Sequence, residues 1–309
     1  YPVDLKREVE EVSDGYVLDV TNFRTDDKDA LLGRIYEKAE KHFKVAKHLV
    51  ATKPWDFFMM VEMGIDRIHH AFWKYMDETH PKYEKGNQYQ DTIKEFYQYC
   101  DSQINELISL FPSDTTIIVV SDHGAKRLVG GVCFNEWLIQ QGYLSLESYP
   151  QDVTPIDKVP IDWTKTRAWG DGGYYGRLFL NVQGREPQGI ISQEDYEDVR
   201  QELISRIEAI EDNKGNNIGS RAYRPEELYR ECNGIPPDLI VYFGDLEWRS
   251  VGSVGLKSIH TFENDIGPDD ANHDWYGIFI ISGSELDNEY MESLDICKMN
   301  SLILGLMGA

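Results

Sequence analysis

Three short stretches hold side chains able to grip a metal ion. In Asp66-Arg67-Ile68-His69-His70 the carboxylate and the second imidazole stand four positions apart, so on a helix they share one face, one turn from each other. An Asp oxygen and a His nitrogen arranged this way can both reach one ion at about 2.0–2.2 Å. Such spacing also arises by chance, and His69, about 100° further round the helix, is left to packing or solvent. Ser121-Asp122-His123-Gly124 follows the apolar run from Thr115 to Val120. Neighbouring side chains on a strand point apart, so both can serve one site only where the strand has broken, and Gly124 permits that break. Charge buried there is costly unless a cation or partner compensates it. Asn272-His273-Asp274 precedes a further apolar run near Gly277. A histidine beside a strand is commonly a structural one, but this one is third in a series. Asp66, His70, Asp122, His123 and His273 together form a mixed oxygen and nitrogen set that suits Zn²⁺, with Mn²⁺ or Fe also admissible.

The elements that must bring these residues together can be read from periodicity. Leu31, Leu32, Ile35, Ala39, Phe43, Ala46 and Leu49 predict an amphipathic helix over about 26–49. Trp55 to Met63 is a continuous apolar stretch of the kind expected in a sheet buried on both faces. Helices follow over about 66–75 and 89–111, the second with Ile93, Phe96, Cys100, Ile104 and Leu107 along one side. Strands are expected at Thr115–Val120, Tyr175–Val182, Asp238–Phe243 and Tyr276–Ser282, and further helices at 193–210 and 293–307, while the first 22 residues read as polar and mixed. This pattern predicts an α/β protein with a central, mostly parallel sheet and helices on both faces. Polar residues just beyond a strand's C-terminal end, as at 121–124, mark the rim where open sheets of that kind bind ligands. Residues 1–124 and 235–309 are assigned to this core, and 125–234, richer in Gly and aromatics, to an inserted α+β subregion.

The chain has 309 residues, 41% of them apolar, enough for a substantial core. Its net charge of −23, from 54 acids against 31 bases, disfavours a grip on a nucleic-acid polymer. Any phosphate must therefore be bound locally, and an Asp-rich site balanced by cations meets that need. No apolar run approaches the roughly 18 residues of a membrane span. Cys100, Cys133, Cys232 and Cys297 stand far apart and read as buried, unpaired thiols, which points to a cytoplasmic setting.

The order Asp-x-x-x-His, then strand-Ser-Asp-His-Gly, then a later His before Gly277-Ile278-Phe279-Ile280, resembles the alkaline phosphatase superfamily. Asn135-Glu136-Trp137-Leu138 and Gly142-Tyr143-Leu144 narrow the resemblance to its type I phosphodiesterase/nucleotide pyrophosphatase branch, from Trp55 to the end. The resemblance implies an alkaline phosphatase-like fold and two divalent metals, one held by Asp66, His70 and His273, the other by Asp122 and His123. It further implies a small phosphoester or nucleotide substrate, attacked by a Thr or Ser that follows an N-terminal strand and Asp. No such segment is recognisable before Trp55. Asp19 and Thr21 are set aside as decoys, so the nucleophile is expected outside this chain, which alone should turn over essentially no phosphodiester. Phosphomonoesterases, sulfatases and phosphoglycerate mutases of the same superfamily would use similar ligands, and a non-catalytic metal-stabilised domain is the reading of a different class. Lys126 and Tyr175, the latter ending the aromatic run from Trp169, are kept as candidates for touching substrate, although solvated charge and core packing are the commoner roles of such residues.

Overall fold

The computed structural model of the protein describes residues 2–283 and 293–308. Along the chain run α1 (Val3–Ser13), α2 (Lys28–Thr52), α3 (Gly64–Met76), α4 (Thr92–Ile108), β1 (Ile117–Val120), β2 (Gly124–Arg127), β3 (Gly130–Cys133), α5 (Phe134–Gln140), β4 (Ala168–Asp171) and β5 (Gly176–Leu180). Then come α6 (Tyr196–Glu208), β6 (Arg221–Tyr223), α7 (Pro225–Leu228), β7 (Leu239–Tyr242), β8 (Trp248–Val251), β9 (His260–Thr261), β10 (Ala271–Asp274), β11 (Phe279–Ser282) and α8 (Met299–Leu306).

Helix α2 starts where the Asp27 carboxylate accepts from the Ala30 amide at 3.2 Å, satisfying one of the donors a helix start leaves free. Its apolar stripe, Leu31, Ile35, Ala39 and Phe43, is buried against Ile68 and Phe72 of α3 and Ile93, Phe96 and Cys100 of α4. Fully burying a side chain such as Leu31, Phe72 or Phe96 contributes about 1.5–3 kcal/mol. Gly64 opens α3 because a Cβ there would lie 2.7 Å from Phe96 Cζ and 2.6 Å from Glu62 Oε1. That carboxylate is already engaged, accepting from the Gly64 amide at 2.6 Å and from buried Lys38 Nζ at 2.8 Å. The start of the helix that carries Asp66 is thus fixed to both neighbouring helices. Helix α1 lies in the stretch read as polar and mixed and is tied down by polar contacts, Glu8 meeting His48 at 2.8 Å and Lys53 at 2.6 Å.

A second core gathers α5, α6 and the strand order β4-β5-β7-β6, an antiparallel sheet. Since β7 pairs with both β5 and β6, this sheet runs across the expected boundary at 234/235. The mixture of helix and strand agrees with the sequence, but the mostly parallel arrangement does not. Among the described residues β3 and β8 form the parallel strand pair, whereas β1–β11, β2–β10 and β3–β9 are antiparallel. Residues 55–63 belong to no strand. They alternate: Phe58 and Met60 pack with Ala46, Val50 and Leu107, while Phe57, Met59 and Val61 are 51%, 70% and 59% exposed. One face of the expected two-face strand is covered. Cys100 and Cys133 are buried free thiols, but Cys232 and Cys297 are exposed, contrary to expectation. Among the described residues no helix is long and apolar enough to cross a membrane.

Candidate metal centre

Asp66 sits in the first turn of α3 and His70 one turn later, and the shared face brings Asp66 Oδ1 to 3.3 Å from His70 Nε2. Strand β10 delivers His273. Its pairing with β2 sets His273 opposite Ala125 and Asp274 opposite Gly124, so His123, immediately before β2, lies against His273 with ring centroids 3.7 Å apart and planes at 12°. The approach is this close because Gly124 carries no Cβ, which would run into the Tyr276 carbonyl oxygen. The pair is held against α3 by the Asp270 amide, which donates to the His70 carbonyl at 2.8 Å. His273 Nε2 then stands 3.8 Å from Asp66 Oδ1.

Three donors, one each from Asp66, His123 and His273, lie within 4.8 Å of one another. Two ligands on one tetrahedral ion with bonds near 2.1 Å are about 3.4 Å apart. The Asp66–His273 separation of 3.8 Å is close to that value, so Asp66, His123 and His273 suit a divalent cation, and His70, outside that trio, approaches Asp66 alone at 3.3 Å. Protonation favours this in part. Burial, reinforced by the neighbouring His123 and His70, depresses His273 to about 4, leaving its imidazole neutral at pH 7. For Asp66, burial pushes upward, yet the His70 hydrogen bond and the charges of His70 and Arg67 hold it at about 2. His70 goes the other way: burial opposes its charge, but the hydrogen bonds its ring donates to Asp269 and Asp66 lift it to about 9.

The structure brings together Asp66, His70, His123 and His273 and leaves the other expected residues apart. The Asp122 side chain is 84% exposed and meets His123 Nε2 at 3.6 Å. Lys126 Nζ is saturated, reaching the Asp245 carbonyl at 2.9 Å, Asp245 Oδ2 at 3.2 Å and Asp274 Oδ1 at 3.0 Å, which uses the three donors of an ammonium. Tyr175 is half exposed and packs near Tyr242 rather than at the cluster. Its neighbour Tyr174 takes the inner position instead, with ring centroids 4.2 Å from His273 and 5.1 Å from His70. His69 is turned away to Tyr97, 3.1 Å from Nε2.

Four residues around the cluster were not anticipated. Asp269 Oδ1 lies 2.7 Å from His70 Nδ1. Arg24 donates to Asp269 Oδ2 from Nε at 3.3 Å and from Nη2 at 3.2 Å, and Nη2 also donates to the Tyr174 hydroxyl at 3.1 Å. Arg67 joins Asp66 Oδ2 at 2.7 Å to Asp19, whose oxygens it meets at 3.0 and 2.6 Å. Asp19, set aside from the sequence, therefore acts on Asp66 through Arg67, while Thr21 is exposed. The available signals were the paired acids Asp269-Asp270 shortly before His273 and the Tyr174 end of the aromatic run.

The sequence profile of the type I phosphodiesterase / nucleotide pyrophosphatase family matches residues 3–269. Covering most of the chain, the match establishes that the protein belongs to this family. It begins well before Trp55, where the resemblance was expected to start, and ends short of His273. Members are phosphoric ester hydrolases that act on small phosphoesters and generally depend on divalent metals. No curated protein and no solved structure matches the chain significantly.

Proposed function

We propose that the protein hydrolyses phosphodiesters or nucleotide pyrophosphates with two divalent cations, Zn²⁺ being the ion that best suits the donors. The observation that carries the reading is the convergence of Asp66, His123 and His273, from three distant stretches, within 4.8 Å. Asp66, His70 and His273 would hold one cation, and His123 with Asp122 would belong to the other. Bound there, the cations would neutralise charge developing on the phosphoryl oxygens and lower the pKa of the attacking hydroxyl. The chain's own part is to keep the donors in place. Arg67 occupies Asp66 Oδ2 and leaves Oδ1 facing His70 and His273, while Tyr174 covers one side of both imidazoles. In this reading the attacking hydroxyl belongs to a Thr or Ser outside residues 1–309. The uncovered apolar edge at Phe57, Met59 and Val61 supports a further segment packing there.

Metal analysis combined with a panel of phosphomonoester, phosphodiester and sulfate ester substrates tests the proposal on the full-length protein. Bound zinc and preferential turnover of a nitrophenyl phosphodiester are expected, with loss of both in Asp66→Ala and His273→Ala variants that still fold. A folded, metal-free protein unaffected by either substitution would refute it, and preference for a monoester or sulfate ester would move it to another branch of the superfamily. Brisk phosphodiester hydrolysis by residues 1–309 alone would overturn the external nucleophile.

A further inference from the structure

We propose that Asp269 is a positioning residue for the metal centre: it fixes the ring of His70 so that Nε2 faces the cation, and Arg24 holds Asp269 in place. The inference rests on the reading of His70 as a metal ligand and adds a residue that lies outside the ligand set. Its basis is geometric. The Asp269 side chain is fully buried, and its two oxygens divide between two partners, Oδ1 to His70 Nδ1 at 2.7 Å and Oδ2 to the Arg24 guanidinium at 3.2 and 3.3 Å. Since Nε2 lies 3.3 Å from Asp66 Oδ1, that nitrogen must supply the lone pair for a shared ion, so Nδ1 carries the hydrogen. A carboxylate accepts that hydrogen and offers none in return, so it selects this tautomer and makes the ring a stronger donor to metal, as outer carboxylates do for metal-bound histidines.

Two further contacts limit the ring's freedom. Tyr174 stacks on it at 5.1 Å with planes at 27°, and the Tyr174 hydroxyl accepts from the Arg24 nitrogen that also serves Asp269. Arg24 thus holds both the carboxylate that orients His70 in its plane and the phenol that covers its face. Without Arg24, the buried Asp269 carboxylate would lose the guanidinium that pairs with it at 3.2 Å, which is costly. The alternative is that Asp269 merely fastens the chain before β10 to α3. That role is already served by the Asp270 amide on the His70 carbonyl at 2.8 Å, a bond that substitution at 269 leaves intact.

The test compares the protein with its Asp269→Asn, Asp269→Ala and Asp66→Ala variants. Zn²⁺ affinity is measured by chelator competition, the visible spectrum of the Co²⁺-loaded protein is recorded, and unfolding temperatures are taken in excess chelator. Zn²⁺ affinity is expected to fall about 10- to 100-fold in Asp269→Ala and about tenfold in Asp269→Asn, with a changed Co²⁺ spectrum in both. Asp269→Asn has the shape of the native residue and decides the matter if the alanine variant fails to fold. An Asp269→Asn protein that binds Zn²⁺ within about threefold of the native affinity and gives the native Co²⁺ spectrum, while Asp66→Ala loses the ion, overturns the positioning role alone. Native protein that binds neither Zn²⁺ nor Co²⁺ overturns the metal centre itself, and this inference with it.

Discussion

Zinc binding should expel a proton from His70, and the size of the effect follows from the surroundings of that ring. Without metal, Asp269 at 2.7 Å and Asp66 at 3.3 Å hold the imidazolium, and they lift it against burial to about 9. At pH 7 the ring is therefore almost wholly protonated, and freeing Nε2 for a cation costs roughly 3 kcal/mol, about two pH units at roughly 1.4 kcal/mol each. Apparent Zn²⁺ affinity should rise about tenfold per pH unit from 7 to 9 and level off above 9. His273 adds nothing to this slope, being held at about 4 and already neutral. The assay is isothermal titration calorimetry at pH 7 in buffers of differing ionisation enthalpy, whose slope counts the protons released. The difference between the native protein and His70→Gln isolates this residue, and about one proton is expected. Equal proton counts in the two proteins, with a flat affinity between pH 7 and 9, would refute the reasoning, because either the imidazole is neutral before binding or it is not a ligand.

The same groups set how the chelated protein responds to pH. Raised above its ordinary 6.5, His70 contributes stability that is complete below 6.5 and lost as pH climbs through about 9, of order 3 kcal/mol. Asp66, lowered from 3.8 to about 2, contributes above 3.8 and loses that contribution as pH falls toward 2; thermal unfolding in chelator should therefore show these groups stabilising most between about pH 4 and 6.5, and His70→Gln should remove the alkaline fall. Gly124→Ala should cost about 1–3 kcal/mol in denaturant unfolding, because its Cβ meets the Tyr276 carbonyl oxygen, and should weaken metal binding by pushing β2 and His123 away from β10. Asp238→Ala should destabilise by about 3 kcal/mol, near the lower end for a broken buried pair because Arg185 is 42% exposed. It takes from Arg185 one of two carboxylate partners, Glu186 being the other, and leaves the Leu180 amide without its acceptor, all in the other core, so Zn²⁺ affinity in the folded protein should be unchanged.

Local features were legible in the sequence and non-local ones were not. The stripes of α2, α3, α4 and α6 bury one face, so a period of 3.6 reveals them without knowledge of their partners. The pairing of Asp66 with His70 follows from the same period. Residues 55–63 misled because nine consecutive residues, mostly apolar, look alike whether one face is covered or two, and only the positions of α2 and α4 show that Phe58 and Met60 are the covered ones. The parallel sheet failed for a related reason: Ile117–Val120 and Phe279–Ser282 have the composition of interior strands, but direction is decided by the route of the 158 residues between them, and here they pair antiparallel. Asp269 meets His70 across a separation of 199 residues and Arg24 across 245, and no spacing rule reaches that far. Helix α1 was passed over because its stripe is short, Leu5, Val9 and Val12 set among charged residues and only half-buried, with Ser13 its one buried residue.

Charge around the cluster connects the acidic composition to the proposed chemistry. Among the described residues, the positive side chains bonded to this neighbourhood are already committed: Arg67 to Asp19 and Asp66, Arg24 to Asp269, Lys126 to Asp245 and Asp274, and Lys74 to Asp270 at 3.5 Å. A phosphate brought to Asp66 and His273 would therefore find carboxylates whose counter-charges, the His70 imidazolium included, are spoken for, on a chain of net charge −23, and Coulomb repulsion in this half-buried setting would oppose its binding. Divalent cations reverse that sign locally, since a single ion cancels two carboxylates and still presents open coordination positions. Among the described residues, the lysines and arginines bonded to the acids of this neighbourhood are each paired with a carboxylate, which suits a site in which metal supplies the positive charge that substrate needs. For that reason the affinity of a phosphate ester should collapse with metal removal more completely than with the loss of any one basic side chain.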